Sequence, residues 1–225
     1  MKLITTGERR YALLLAASDS EVVDGEFPDI SELYKYDGFV ISGSPHDAYG
    51  NDQWILKLCF LLQTLDAMKK KVLGICFGHQ VIGGKSWKAC SGWDIGLRKV
   101  KILKDLSVPS FMEELDDIPS SLSIIECHQD EVFEVPMGAD VIASSDKTGV
   151  EIFVIRQHIL GIQGHPEYTK DILFDLIDRL LNNNSIQREF AEKAKLGLET
   201  DEPDRKRWEK ICRDFLKRAH HFSFP

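Results

Sequence analysis

Residues 71–80 read K-V-L-G-I-C-F-G-H-Q and join an apolar strand to a helix through a cysteine that stands between two glycines. This strand–turn–helix context is that of a nucleophile elbow. The sharp turn brings the residues two before and two after the nucleophile close together, and Gly74 and Gly78 avoid the resulting clash. We therefore predict that Cys76 is a catalytic nucleophile. The first turn of the helix is expected to stabilise its thiolate, and the N–H group of Phe77 to stabilise an oxyanion.

A cysteine nucleophile needs a base, and the Gly-His-Pro-Glu segment around His165 offers one. His165 follows the apolar run Ile159–Gln163 and so stands at the C-terminal end of a predicted strand, where open α/β sheets bind their ligands. Pro166 keeps the chain from entering a helix at once, so Glu167 can turn back and accept a hydrogen bond from the imidazole. Together with the elbow, this segment predicts a triad of Cys76, His165 and Glu167.

The segments on either side of the elbow predict an α/β fold. In the first half of the chain, apolar runs alternate with helical patterns, which is typical of βαβ units and a largely parallel sheet. The elements predicted there are strands at Tyr11–Ala17, Asp37–Ser42 and Val72–Ile75 and helices at Asp52–Lys71 and Phe77–Ile82. After Gly96, antiparallel or mixed pairing is favoured by short strands at Leu97–Leu103, Ser123–Cys127, Val141–Ser144, Val150–Arg156 and Ile159–Gln163. Three further helices are predicted at Asp171–Leu181, Ser185–Leu196 and Asp204–Arg218.

Length and composition are those of an ordinary globular protein. The chain has 225 residues, of which 43% are hydrophobic and 28% charged, and this excludes a collagenous or disordered chain. We find no internal repeat and no linker, so we expect one domain over residues 1–225, with a core at about 10–184 and a helical tail at 185–225. The net charge of −8 argues against a nucleic acid partner. No apolar stretch approaches the length of a transmembrane helix, so no membrane partner is expected.

The five cysteines include no C-x-x-C pair, which is typical of reduced thiols rather than of a disulfide framework or a zinc site. We therefore expect a cytosolic protein that uses no metal and no other cofactor. An alternative is that Arg9 and Arg10, the apolar run Tyr11–Ala17 and Ser18 form a secretory signal peptide. The run has the minimum length for such a peptide and is equally well interpreted as a buried strand.

Five segments together resemble the class I glutamine amidotransferase family. G-I-C-F-G-H-Q at 74–80 and H-P-E at 165–167 stand in the order of that family's Cys-His-Glu triad, about ninety residues apart. I-S-G-S-P at 41–45 resembles its glycine-rich loop. G-W-D-I-G at 92–96 resembles its G-x-E-x-G segment, with aspartate in place of glutamate. C-H-Q-D-E-V at 127–132 resembles the S-H-x-D-x-V segment that lines the glutamine pocket.

This resemblance covers about residues 10 to 180. It implies a flavodoxin-like fold, with an open, mostly parallel (mixed) sheet flanked by helices and followed by the helical extension. It implies that a second oxyanion N–H comes from Gly43 or Ser44, beside that of Phe77. It also implies which residues hold the α-amino and α-carboxylate groups of the substrate, namely Gln80, His128, Gln129 and Asp130.

A closer resemblance is to the plant cytosolic γ-glutamyl peptidases, carried by K-Y-D-G-F-V-I-S-G-S, C-H-Q-D-E-V, I-Q-G-H-P-E-Y and the helical extension. Those enzymes keep the amidotransferase triad and cleave the γ-glutamyl bond of glutathione and its conjugates, in sulfur metabolism such as glucosinolate biosynthesis. The resemblance implies a hydrolase that forms a γ-glutamyl thioester with a small γ-glutamyl substrate. The alternatives are a glutaminase subunit that delivers ammonia to a synthase partner, and an inactive pseudoenzyme or binding protein.

Two places depart from the family pattern. The helix and strand that normally follow the first strand have no room after Glu21, and the helix after the nucleophile ends about one turn early, at Ile82. A true deletion at the first place would leave one face of the sheet poorly covered and favour an inactive protein. Loops left out of the sequence would leave the mechanism intact. The sequence is compatible with both explanations.

Overall fold

Helices flank a mixed sheet in this computed structural model, which describes residues 2–6, 9–14, 22–103, 119–199 and 201–217. The strands are β1 (Lys2–Thr6), β2 (Arg9–Leu14), β3 (Gly38–Ile41), β4 (Lys71–Ile75), β5 (Lys85–Lys88), β6 (Asp94–Ile102), β7 (Ser121–His128), β8 (Asp130–Glu134), β9 (Ala139–Ser144), β10 (Ile152–Ile155) and β11 (Ile159–Ile162). The helices are α1 (Gln53–Ala67), α2 (Phe77–Gly83), α3 (Lys170–Asn182), α4 (Arg188–Leu196) and α5 (Arg205–Lys217), and Ile30–Lys35 forms a 3₁₀ helix.

The main sheet has the strand order β1-β2-β3-β4-β11-β10-β9-β6-β7, and β5 pairs with β8 in a separate ribbon. Strands β2, β3, β4 and β11 are parallel neighbours, whereas the other described pairs are antiparallel. The predicted α/β class, with a mixed sheet flanked by helices, is confirmed. The parallel neighbours β2, β3 and β4 lie in the first half of the chain. Strands β9, β10 and β11 pair in antiparallel fashion, as expected after Gly96, because they follow one another by direct chain reversals.

Most predicted elements occur within a few residues of their predicted positions. The strand expected at Tyr11–Ala17 is described as far as Leu14, and residues 15–17 lie outside the described residues. The prediction missed β1, β5, β8 and the 3₁₀ helix. In the ribbon, K-S-W-K and D-E-V-F-E are mostly polar, and only Ser86 and the pair Asp130 and Val132 are buried. Such short strands lack the run of apolar residues by which a strand is predicted.

Two sets of helices cover the two faces of the sheet. On one face, Trp54, Leu58 and Leu65 of α1 pack in a cluster with Phe39 and Ile41 of β3. At the β6 and β7 end of the sheet, α3 and α4 form a separate apolar cluster with these two strands. Burial of these apolar stripes is the main contribution that holds the helices on the sheet. In the described ranges, no helix is both long and apolar enough to cross a membrane.

Helix α5 covers the other face of the sheet. Its Trp208, Ile211 and Phe215 are almost fully buried in a cluster that includes residues of β4, β7, β10 and β11. The helix is also tied to β2, because the hydroxyl of Tyr11 donates to the carbonyl oxygen of Leu216 at 3.0 Å. A deletion after the first strand was expected to leave one face of the sheet poorly covered. Helix α5 covers that face at β4, β7, β10 and β11.

Three parallel strands bring the candidate site together. The register pairs Ile41 with Gly74 and Ile75 with Ile162, so β3, β4 and β11 end at one edge of the sheet. The residues that follow these strands form the loop at Gly43, the elbow and the turn that carries His165. This is the edge at which α/β sheets place their ligands.

Candidate active site

The elbow between β4 and α2 holds Cys76 in a strained backbone conformation, with φ of +51° and ψ of −103°. A positive φ at a non-glycine residue costs on the order of 1–3 kcal/mol and is typical of functional turns. A Cβ on Gly74 would lie 2.6 Å from the carbonyl group of Gly78, and a Cβ on Gly78 would lie 2.5 Å from the carbonyl oxygen of Ile41. Both glycines are therefore required by backbone contacts at this turn.

The thiol of Cys76 is buried, with 6% of the residue exposed. Burial raises the pKa of this thiol well above its usual range, and the nearby Cys127, Glu126 and Glu167 raise it further. The N–H group of Phe77 lowers the pKa, by less than burial raises it. The expectation that the helix start keeps a thiolate is therefore wrong for the free protein, because removal of water from the sulfur outweighs it. The raised pKa favours the neutral thiol, which needs a base before it can attack.

His165 follows β11 and is held by three neighbours. Its backbone N–H donates to the carbonyl oxygen of Ile125 at 2.8 Å, which fixes the residue against β7. Its Nδ1–H donates to Oε1 of Glu167 at 2.8 Å. The imidazole also stacks on the ring of Tyr168, with 3.8 Å between the centroids and 6° between the planes. Because Nδ1 is occupied by Glu167, Nε2 is the nitrogen that can accept a proton.

At Gly43 this imidazole comes close to Cys76. A Cβ at position 43 would lie 2.9 Å from Cε1 of His165 and 3.6 Å from Cβ of Cys76, so both side chains approach the loop after β3. Gly43 and Ser44 line the same cleft as Cys76. Their backbone N–H groups donate to no acceptor among the described residues. With the N–H of Phe77, they are the candidate donors of an oxyanion hole.

The residues expected to hold the α-amino and α-carboxylate groups line one wall of the cleft: Gln80, His128, Gln129 and Asp130. Nε2 of Gln80 donates to the carbonyl oxygen of Asp130 at 2.8 Å, and Nδ1 of His128 lies 2.9 Å from the same oxygen. The carboxylate of Asp130 accepts a hydrogen bond from the hydroxyl of Tyr49 at 3.5 Å. Burial raises the pKa of Asp130, and the charge of Asp47 raises it further. Two neighbouring carboxylates at this wall favour a cationic group such as an α-ammonium.

A second wall, formed by α3 and the turn after it, was not predicted. Its lining residues are Leu176, Arg179, Leu180, Asn183 and Ser185. Positions 176, 179, 180 and 183 share one helical face, so the spacing carried a signal that the sequence analysis did not use. Arg179 is exposed and forms no ion pair within the described part of the chain. Other lining residues that the prediction missed are Pro45, His46, Asp47, Trp93, Cys127 and Tyr168.

The cleft has a volume of about 780 Å³, which is in the range of sites that enclose a small molecule of peptide size. Among the residues that the structure describes, no group of three or more His, Cys, Asp or Glu side chains is arranged to hold a metal ion. The chemistry that the lining residues offer is thus nucleophilic attack by a thiol, with proton transfer by an imidazole and hydrogen bonding to an oxyanion.

Known proteins share both the sequence and the fold. Residues 10–173 match the family model of Glutamine amidotransferase class-I. Gamma-glutamyl peptidase 3 of Arabidopsis thaliana is 49% identical over 243 aligned positions, which cover 93% of this chain and 97% of the relative. Gamma-glutamyl peptidase 4 of the same plant is 52% identical over 203 positions, covering 88% and 80%. A glutamine amidotransferase structure from Thermotoga maritima has a TM-score of 0.67 and 20% identity, covers 91% of this chain and 96% of its own, and supports the fold alone.

The alignment with gamma-glutamyl peptidase 3 is longer than this chain, with 243 positions against 225 residues. The relative therefore has residues inside the matched region for which this chain has no counterpart. Residues that are present in the relative and missing from this chain agree with the short segments noted after Glu21 and Ile82. The described residues run without a break from 22 to 103, so the elbow and the loop after β3 belong to one continuous segment.

Proposed function

Because the chain belongs to the Glutamine amidotransferase class-I family, we propose that it is a cysteine-dependent hydrolase that cleaves the γ-glutamyl bond of glutathione or of a glutathione conjugate. The observation that carries this proposal is its 49% identity to a gamma-glutamyl peptidase over 93% of the chain. The pairing of His165 with Glu167 beside the buried thiol of Cys76 supports the chemistry. The cysteines support a reducing compartment such as the cytosol, and the plant resemblance supports a role in glucosinolate biosynthesis.

Acylation starts from a neutral thiol, because burial keeps Cys76 protonated in the free protein. Nε2 of His165 accepts this proton as the sulfur attacks the γ-carbonyl carbon of the substrate. The N–H groups of Phe77 and of Gly43 or Ser44 donate hydrogen bonds to the resulting oxyanion. The imidazolium then gives its proton to the departing amine, the C–N bond breaks, and a γ-glutamyl thioester of Cys76 remains.

Deacylation repeats the same proton transfers with water as the nucleophile. His165 accepts a proton from the water, the oxygen attacks the thioester carbonyl, and glutamate is released as the thiol of Cys76 recovers the proton. Glu167 accepts the Nδ1–H bond throughout, which fixes the tautomer and stabilises the imidazolium. The difference between a glutaminase and a peptidase lies in the leaving group, which is ammonia in the first and a cysteinyl peptide in the second.

The walls of the cleft differ in charge in a way that suits a peptide. Asp47 and Asp130 lie at the wall that would take the α-ammonium of the γ-glutamyl group. Arg179 on α3 lines the cleft without an ion-pair partner among the described residues. A guanidinium binds a carboxylate through two parallel hydrogen bonds. We therefore propose that Arg179 binds the C-terminal carboxylate of the peptide leaving group.

Replacing Arg179 by glutamine should raise KM for glutathione about five- to tenfold, the loss expected for one solvent-accessible charged hydrogen bond. KM for glutamine should stay unchanged, because ammonia carries no carboxylate. Steady-state kinetics with both substrates measure the difference, and Arg188→Gln on the exposed surface of α4 is the matched control. Equal effects on both substrates would show that Arg179 contacts the glutamyl group instead.

Side-by-side turnover of glutamine, glutathione and a glutathione S-conjugate by the purified chain tests the proposal as a whole. We expect γ-glutamyl peptides to be hydrolysed fastest, without a second protein. The second candidate is a glutaminase subunit, favoured by the amidotransferase family match over residues 10–173. Faster ammonia release from glutamine, or turnover that appears only with a synthase, would establish that candidate. Binding without turnover of any of the three would identify a pseudoenzyme.

A further inference from the structure

Buried acidic side chains lie behind the wall that β7 contributes to the cleft. Glu126 is 0% exposed and Glu151, just before β10, is 1% exposed, and the two carboxyl groups lie close enough to interact electrostatically. In the described ranges, neither carboxyl forms an ion pair with lysine or arginine, since Arg98 and Lys147 pair with Asp94 at 2.6 and 3.6 Å. Two buried carboxyl groups without a cationic partner are disfavoured as a pair of charges, so they favour their protonated forms.

Burial keeps protons on this pair. It raises the pKa of Glu126 well above its usual range, and Asp94 raises it further. It also raises the pKa of Glu151 to about 9, and Glu126 adds to that increase. The titratable and charged groups that face the pair from neighbouring elements are Asp94 and Arg98 of β6, Cys127 and His128 of β7, Cys76 of the elbow and Lys147 of the loop before β10. Burial and mutual repulsion therefore both favour the protonated forms of these carboxyl groups.

Glu126 connects this pair to the cleft wall. Its Oε2 lies 3.3 Å from Nε2 of His128, and Nδ1 of His128 lies 2.9 Å from the carbonyl oxygen of Asp130. A carbonyl oxygen can only accept, so Nδ1 carries the proton. Nε2 of a neutral imidazole is then an acceptor, and a protonated carboxyl is the partner that it requires. Burial lowers the pKa of His128, which agrees with a neutral ring.

The same carboxyl group packs against the segment that carries His165. A Cβ on Gly164 would lie 2.3 Å from Oε1 of Glu126, so only glycine fits at that position. One side chain therefore contacts both His128 at the end of β7 and the chain just before the proposed base. A change in the shape or charge of Glu126 acts on two parts of the site at once.

We propose that Glu126 is a positioning residue, whose protonated carboxyl donates a hydrogen bond to Nε2 of His128 and so holds the wall formed by His128, Gln129 and Asp130. The bonds run in one direction, from Glu126 O–H to His128 Nε2 and from His128 Nδ1–H to the carbonyl oxygen of Asp130. Nε2 of Gln80, on α2, donates a second hydrogen bond to the carbonyl oxygen of Asp130. The inference rests on the proposed function, because that wall is assigned to the γ-glutamyl group.

NMR of ¹⁵N-histidine-labelled protein tests the hydrogen-bond direction without any substrate. We expect His128, assigned by comparison with His128→Gln, to carry its proton on Nδ1 from about pH 6 to pH 8. Glu126→Gln should keep this tautomer, because its amide NH₂ still donates to Nε2, and Glu126→Leu should lose it. A His128 ring protonated on both nitrogens at pH 7 would overturn the proposal, since Glu126 would then be a carboxylate. A proton on Nε2 alone would overturn it as well.

Kinetics with glutathione give a second readout, with Glu192→Gln on the exposed side of α4 as the matched control. Glu126→Gln should retain KM within about threefold of wild type, and Glu126→Leu should raise KM about tenfold with a smaller change in kcat. Above about pH 9, where Glu151 ionises, KM of the wild type should rise more steeply than KM of Glu126→Gln. A wild-type KM that is constant to about pH 10, or equal defects in both variants, would refute the positioning role.

These experiments separate the two proposals. If glutamine proves to be the preferred substrate but His128 keeps the Nδ1–H tautomer, the peptidase assignment fails and the role of Glu126 stands. If glutathione is preferred but His128 is doubly protonated, only the role of Glu126 fails. Should Glu126→Leu not fold, the tautomer of the wild type and the kinetics of Glu126→Gln still decide the question.

Discussion

Serine in place of Cys76 is expected to lower kcat for every substrate by at least about 10⁴-fold while the protein still folds. An alcohol is a far weaker acid than a thiol, and burial already raises the pKa of the thiol at this position. His165 can therefore not generate an alkoxide in the elbow. The φ of +51° is imposed by the contacts of Gly74 and Gly78 and does not depend on the sulfur. Thermal unfolding should shift by only a few degrees.

Chromatographic detection of glutamate over long incubations measures the residual rate. Cys90→Ser is the matched control, because Cys90 is exposed and does not line the cleft, and it should have wild-type kinetics. A glutamate analogue with a chloromethyl ketone at the γ position should alkylate Cys76 in the wild type, as seen by peptide mapping. Residual activity above about 1%, or labelling of Cys127 in the same cleft, would assign the nucleophile elsewhere.

Alanine in place of His165 is expected to lower kcat by about 10³-fold or more, whereas Glu167→Gln should lower it by much less. In the proposed mechanism the imidazole itself transfers the proton in both half-reactions, so its loss affects each of them. Glu167 only orients the ring, and it shares that task with the stacked ring of Tyr168 and the backbone bond to Ile125. The side chain of Glu167 is also 50% exposed, so water can replace part of its interaction.

Single-turnover kinetics with glutathione separate acylation from hydrolysis of the thioester in these variants. Glu199→Gln, an exposed glutamate after α4, is the control for the change of charge. Equal losses in His165→Ala and Glu167→Gln would mean that Glu167 does more than orient the imidazole. A loss below about tenfold in His165→Ala would show that another group accepts the thiol proton.

Local features of the site were predictable from the sequence. Backbone contacts near Cys76 require glycine at positions 74 and 78, so the spacing of these glycines predicts the turn. The pair of His165 and Glu167 lies within three residues and needs only a strand end and a proline. The fold class followed from alternating apolar runs and helical patterns, and the structure confirms it.

Features that depend on distant segments were not predictable. Arg179 lines the cleft because α3 packs beside β6 and β7. The spacing of residues 176, 179, 180 and 183 indicates one helical face, but it does not say which strands lie beside that face. The protonated thiol was missed because the burial of Cys76 depends on how the whole sheet folds around it. Glu126 gave no signal either, since its carboxyl partner Glu151 lies on another strand connection twenty-five residues away.

The contacts around the elbow divide the site into a part made by the main chain and a part made by side chains. The backbone of Gly74 packs against that of Gly78, and the backbone of Gly78 packs against that of Ile41. The backbone of Gly43 packs against the ring of His165. These main-chain contacts fix the positions of Cys76 and His165. The wall at α3 consists of side chains on the surface of a helix. Substitutions on that helix can change which leaving group fits without disturbing the reactive centre. Under the proposed role of Arg179, a glutaminase and a peptidase would diverge in evolution by exchange of a few side chains on one helix.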